Sequence, residues 1–134
     1  MAWKVLIVDD EPGIREVLKD YIEMNFENTK IETAENADIA LKKINEEQFH
    51  IILLDIVMPG LDSFEFLRKV KDLNSLIQVI MITGNSTMER VLEAIEAGAD
   101  DYLLKPFSTT EIENIIKCYF SKIERWRNAF RNSF

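Results

Sequence analysis

The chain has 134 residues, a size that suits one domain, and no run in it approaches the roughly 18 apolar residues a membrane span requires. The stretch after Met1 is too short in apolar residues for a signal peptide, and the single cysteine, Cys118, rules out an internal disulfide and fits a reducing cytoplasm. The net charge of −8 argues against a nucleic-acid surface on the body, and it is uneven: residues 121–134 hold Lys122, Arg125, Arg127 and Arg131 against Glu124, a +3 tail after a −11 body.

Lys4–Val8 is a short apolar run and predicts a first strand, closed by Asp9-Asp10-Glu11-Pro12-Gly13. Ile14, Val17, Leu18, Tyr21 and Ile22 recur at helical spacing and predict a helix over 13–26, with Asn25 and Asn28 at its end. Ile31–Ala34 predicts a brief second strand. Asn36 can cap a second helix whose apolar positions are Ile39, Ala40, Leu41 and Ile44. His50–Leu54 predicts the third strand, and a helix starting at Asp62 or Ser63 should bury Phe64, Phe66, Leu67 and Val70. Ile77–Ile82 predicts the fourth strand. Ser86-x-x-Glu89 is a capping-box signal for a helix along which Met88, Val91, Leu92 and Ile95 lie, with Gly98 placed to end it. Tyr102–Leu104 predicts a fifth strand, and Ser108-x-x-Glu111 a second capping box for the last helix. Five short apolar strands alternating with five helices predict an α/β fold: a doubly wound parallel sheet covered on both faces.

The ends of these strands carry the chemistry. Strand one runs into Asp9 and Asp10, strand three into Asp55, strand four into Thr83 and strand five into Lys105. Right-handed crossovers bring such positions together at the carboxyl edge of the sheet, where ligands bind in doubly wound folds. Asp55 follows the run Ile51-Ile52-Leu53-Leu54, and read by itself it is either a carboxylate facing an opening or the start of the turn before Met58-Pro59. With the other strand ends it joins a pocket of three carboxylates, a hydroxyl and an ammonium. Clustered carboxylates repel, so protons or a cation must enter. A hard divalent ion such as Mg²⁺ takes one or two carboxylates and bridges to phosphate. Lys105 suits a phosphate oxygen, and an Asp held against such a group can become a nucleophile.

Asp9-Asp10-Glu11-Pro12, Leu54-Asp55-Ile56-Val57-Met58-Pro59, Thr83-Gly84, Gly98-Ala99-Asp100-Asp101-Tyr102-Leu103 and Lys105-Pro106-Phe107 occur in this order, each at a predicted strand end. Over about residues 3–120 the chain resembles the receiver domain of two-component response regulators, the CheY-like superfamily. The resemblance implies a flavodoxin-like strand order of 2-1-3-4-5 with five flanking helices. It implies that Asp55 accepts phosphate from a sensor histidine kinase or phosphotransfer protein. Asp10, supported by Asp9, would hold Mg²⁺ with Asp55 and the backbone carbonyl of Val57, while Thr83 and Lys105 contact the phosphoryl group. Tyr102 would be a switch aromatic that turns inward when Thr83 moves, and Lys105-Pro106 would be cis. The implied role is a cytoplasmic signalling domain rather than an enzyme, with no direct nucleic-acid or membrane partner. Two positions depart from the family: Asp62-Ser63 stands where Asp-Gly is frequent, and apolar Val57 stands where a polar residue is frequent. Val57 and Asn85 would flank the path of an attacking water, so the lifetime of the phosphate depends on them.

A haloacid-dehalogenase phosphatase would also place an Asp nucleophile after a strand, but it needs a second Asp two residues on, where Val57 stands. A flavodoxin-like FMN carrier wants a phosphate loop after strand one, where this chain has three acids. A degenerate receiver serving only as a docking scaffold is the remaining alternative, although all five functional positions are filled. His50 has no partner at metal-ligand spacing and reads as a residue at the start of a strand.

Ile112, Ile116, Tyr119, Ile123, Trp126 and Phe130 follow the heptad spacing. A helix over 108–131 would be about 36 Å long at ~1.5 Å per residue. Strands of roughly 17–20 Å cover only its first half. Residues 1–120 are therefore expected to form the receiver and 121–134 a basic, aromatic extension. In it Ile123, Trp126 and Phe130 would project without intradomain partners and could form a homodimer interface. Val91 and Ile115 occupy two positions that are basic in regulators pairing through helices four and five, which favours a helix-five mode.

Overall fold

The computed structural model describes residues 3–56, 62–84 and 87–132. Its elements follow in strict alternation: β1 (Trp3–Val8), α1 (Pro12–Asn25), β2 (Thr29–Ala34), α2 (Ala37–Glu46), β3 (Ile51–Asp55), α3 (Ser63–Leu73), β4 (Gln78–Thr83), α4 (Met88–Ala97), β5 (Asp101–Leu104) and α5 (Thr109–Asn132). The five strands are parallel in the order β2-β1-β3-β4-β5, as expected. Among the described residues no helix is long and apolar enough to cross a membrane.

The period of two along each strand divides the core. Leu6, Val8, Ile52, Leu54, Val79 and Met81 point to one face, where α2, α3 and α4 bury Ala37, Ala40, Phe64, Phe66, Leu67, Val70, Ala94 and Ala97. Val5, Ile7, Ile51, Leu53, Ile80 and Ile82 point to the other, against Leu18 and Ile22 of α1 and Ile112, Ile116, Tyr119 and Phe120 of α5. The central strands β3 and β4 are buried throughout, which is why they read as unbroken apolar runs.

Local chemistry sets the boundaries. Pro12 opens α1, where a missing N–H costs nothing. Asn36 caps α2 by accepting from the Ile39 N–H, and Asp62 caps α3 by accepting from the Phe64 N–H. Ser108 and Glu111 bond reciprocally, so the second capping box forms as expected. Gly98 ends α4 at φ 103, and a Cβ there would lie 3.1 Å from Cγ of Lys71. The Lys105-Pro106 peptide is cis.

The fourth and fifth helices differ from expectation. The cap of α4 is Thr87, which accepts from the Arg90 N–H; Ser86 of the expected capping box lies outside the described residues. The side chains that α4 buries are Ala94 and Ala97, while Met88, Leu92 and Ile95 are exposed. The inward positions of this helix are the small Ala94 and Ala97, in the core shared with α3, and its larger apolar side chains face outward.

Helix α5 runs unbroken past residue 120. Ile123, expected to lack an intradomain partner, is half-buried against the α1/α5 core. One turn on, the Arg127 guanidinium sits 4.7 Å from the Trp3 ring centre, and Trp3 stacks on Phe120. Trp126 and Phe130 are 66% and 68% exposed. Tyr119 fastens the helix to the sheet by donating to the Asp100 carbonyl and lying 2.9 Å from the Asp101 carboxylate; burial and Asp101 push its phenol well above the ordinary range.

Candidate functional site

Strand register assembles the site. Val8 pairs with Leu54, so Asp9 and Asp55 each stand one residue beyond that pair. Asp55 pairs with Ile82, placing Thr83 next along β4, and Thr83 pairs with Leu104, placing Lys105 just beyond. Asp55 is the last residue of β3, one position further into the strand than the sequence pattern indicates.

Asp9 and Asp55 are buried, at 3% and 5% exposure, and Thr83 is fully buried. Asp10 is exposed at the rim. Carboxylate oxygens of Asp9, Asp10 and Asp55 lie within 4.8 Å of one another, an arrangement able to hold a metal ion. The Lys105 Nζ reaches across the edge to Oδ2 of both Asp9 and Asp55, at 3.3 Å each. Burial by itself would lower the Lys105 pKa, but the charges of Asp55 and Asp9 and their hydrogen bonds outweigh it and hold the ammonium above its usual value. One ammonium against three carboxylates leaves the pocket negative. All the acidic donors are hard oxygens, and the cluster is open on the Asp10 side, so the residues present fit a small divalent cation that keeps several waters.

The β1–α1 loop is braced. Oδ1 of Asp9 accepts from the Glu11 N–H at 2.9 Å, and Arg15 of α1 donates to the Asp9 carbonyl at 2.6 Å. A second brace, which motif reading did not find, comes from Ser63. Its hydroxyl lies 2.8 Å from the Ile56 carbonyl and 3.2 Å from the Asp55 carbonyl. The only signal in the sequence is a serine where the family frequently has glycine.

Tyr102 lies in β5 with its ring against the α2–α4 core. Its hydroxyl is buried and has no hydrogen-bond partner among the described residues. It borders a groove of about 190 Å³ between α4 and β5, lined also by Val91, Ala94, Ile95 and Ala99. Val57, expected to offer a backbone carbonyl to the metal, and Asn85 both lie outside the described residues. His50 is far from the site, at the opposite edge of the sheet, where its Nδ1 accepts from the Lys4 N–H.

The family model for the response regulator receiver domain matches residues 5–117. The chain belongs to the response regulator receiver family. The transcriptional regulatory protein ResD of Bacillus subtilis is 41% identical over 109 residues, covering 81% of this chain and 44% of that protein. A CheY-like receiver domain protein from Methanospirillum hungatei superposes with a TM-score of 0.88 at 32% identity, covering 93% of this chain and 98% of that one. NtrX from Brucella abortus gives a TM-score of 0.86 at 30% identity, covering 96% of this chain and 29% of that one. The chain spans about half the length of the curated relatives it matches. It is a two-component receiver with the fold of its relatives.

Proposed function

We propose that this receiver takes a phosphoryl group onto Asp55 from the phosphohistidine of a sensor histidine kinase or phosphotransfer protein. The observation that carries the reading is the Lys105 ammonium at 3.3 Å from both Asp9 and Asp55, with the buried Thr83 on the neighbouring strand end. An Asp55 oxygen attacks phosphorus. A P–O bond forms as the P–N bond to the donor breaks, and the bonding pair stays on the imidazole nitrogen, which takes up a proton. Lys105 meets one phosphoryl oxygen as a point charge, and Thr83 donates a hydrogen bond to another. Asp10, with Asp9 in support, Asp55 and the Val57 carbonyl would hold Mg²⁺, which when bound neutralises charge on the transferring group. Asp9, Asp10, Thr83 and Lys105 are all present and gathered around Asp55, which disfavours a degenerate docking scaffold.

Once Thr83 engages phosphate, the space it leaves favours the inward placement of Tyr102 and biases the surface formed by α4, β5 and α5. That surface carries the exposed apolar side chains Met88, Leu92, Ile95 and Leu104, suited to a partner protein. The domain acts as a cytoplasmic phosphoacceptor, not as an enzyme turning over a separate substrate. Residues 121–134 extend the receiver of residues 1–120 and offer Trp126 and Phe130, beside Ile123, to a second copy. NMR spectra with and without beryllofluoride and Mg²⁺ test the switch. Shifts should spread from Asp55 through Thr83 and Tyr102 to α4 and α5; shifts confined to residues touching the site would oppose it.

A further inference from the structure

Ser63 is the first residue of α3, and it is buried at 3% exposure although serine is usually a surface residue. Its hydroxyl reaches the end of β3, where it meets the carbonyls of Ile56 at 2.8 Å and Asp55 at 3.2 Å. The 2.8 Å contact is a hydrogen bond of ordinary length and the 3.2 Å contact is a long one, so the hydroxyl restrains the Ile56 carbonyl directly and the Asp55 carbonyl more weakly. The peptide plane following Asp55 helps to set the direction in which its Cβ and carboxylate leave the chain.

The other end of this tie is rigid. Asp62 caps α3 through the Phe64 N–H, and Phe64, Phe66, Leu67 and Val70 root the helix in the core. Ser63 thus fastens the phosphoacceptor's backbone to a packed helix, not to a loop. A glycine at this position would have no group to make the tie.

We infer that Ser63 is a positioning residue for phosphotransfer, holding the end of β3 so that the Asp55 carboxylate keeps its attack geometry between Lys105 and the acidic cluster. The inference rests on the reading of Asp55 as phosphoacceptor. Small displacements of a reacting group cost large factors in rate, up to about 100-fold for ~1 Å. Loss of this single tie should cost about 3–10-fold.

The test measures phosphorylation by acetyl phosphate at saturating Mg²⁺ in wild type, Ser63→Ala and Ser63→Gly, with Asp55→Asn as the blank. The rate is expressed per folded molecule, with thermal midpoints recorded in parallel. Both variants should be slowed about 3–10-fold per folded molecule. A purely structural serine would lower the thermal midpoint and leave that rate unchanged. Ser63→Ala preserves the backbone preference, so it decides the matter should glycine weaken the helix start. Wild-type labelling on Asp55 with both variants at the wild-type rate would overturn the role of Ser63 and leave the phosphoacceptor reading standing. Absence of wild-type label on Asp55 would remove both.

Discussion

The Arg127 guanidinium lies 2.8 Å from Nε2 of His50, bringing the C-terminal part of α5 against the residue that precedes β3. The Lys4 N–H donates to Nδ1 of the same imidazole, and a neutral ring accepts at one nitrogen only, so Arg127 adds a cation beside the ring rather than a second accepted hydrogen bond. Burial, then the charges of Arg127 and Lys4, hold its pKa below the ordinary 6.5. Lys4 is itself paired with Glu47, and Arg127 with Glu124. A base whose folded pKa is depressed is protonated more readily in the unfolded chain. Its contribution to stability is therefore complete above about pH 6.5 and is lost as pH falls through the lower folded value.

Thermal unfolding at pH 7.5 and 5.5 checks this contact. Wild type should lose more stability between the two than His50→Gln does. Equal losses would mean that His50 is not the group responsible. Arg127→Ala, which removes the cation from the Trp3 face, should cost about 0.5–1 kcal/mol at neutral pH.

The exposed end of α5 sets a second expectation. Trp126 and Phe130 fall one helical turn apart on the seam that Ile116, Tyr119 and Ile123 bury, and they are flanked by Arg125 and Arg131. A basic tail beside an acidic body suits a second copy of the same chain. Sedimentation should detect a dimer of the full chain, and Trp126→Ala with Phe130→Ala should abolish it while leaving the monomer folded. A chain that stays monomeric at high concentration, phosphorylated or not, would argue against self-association.

The lifetime of the phosphoryl group provides a third. Apolar Val57 should order an attacking water poorly, so hydrolysis of phospho-Asp55 is expected to be slow. Replacing Val57 with a polar residue should speed it. An unchanged or slower decay would show that the position does not govern the water.

The alternation of strands and helices and the gathering of Asp9, Asp10, Asp55, Thr83 and Lys105 were legible because both follow from local pattern, whereas the strand order β2-β1-β3-β4-β5 was implied only by the family resemblance. Apolar runs end in polar residues, and parallel crossovers send those ends to one edge. The capping residues Asn36 and Ser108 were legible for the same reason, since their partners lie three residues away. What escaped depended on distant contacts. The buried side of α4 escaped because the pattern weights large apolar residues, whereas the positions this helix turns to the core are the small Ala94 and Ala97. Ile123 looked free because the reach of the core beneath α5 depends on Trp3 and Phe120, which are far apart in sequence. The grip of Arg127 on His50 has no local signal. Nor has the Ser63 hydroxyl, whose meaning appears only once the end of β3 is placed beside it.

Asp55 is the proposed phosphoacceptor, and its neighbours at the strand ends serve it. Labelling with ³²P-acetyl phosphate in Mg²⁺ tests this most directly. Wild type should take up a base-labile acyl phosphate. Asp55→Asn, or removal of the metal by chelation, should abolish it. Lys105→Ala should slow it about 100-fold, as loss of a charge-stabilising donor does. An undiminished, base-stable label on Asp55→Asn would contradict the assignment.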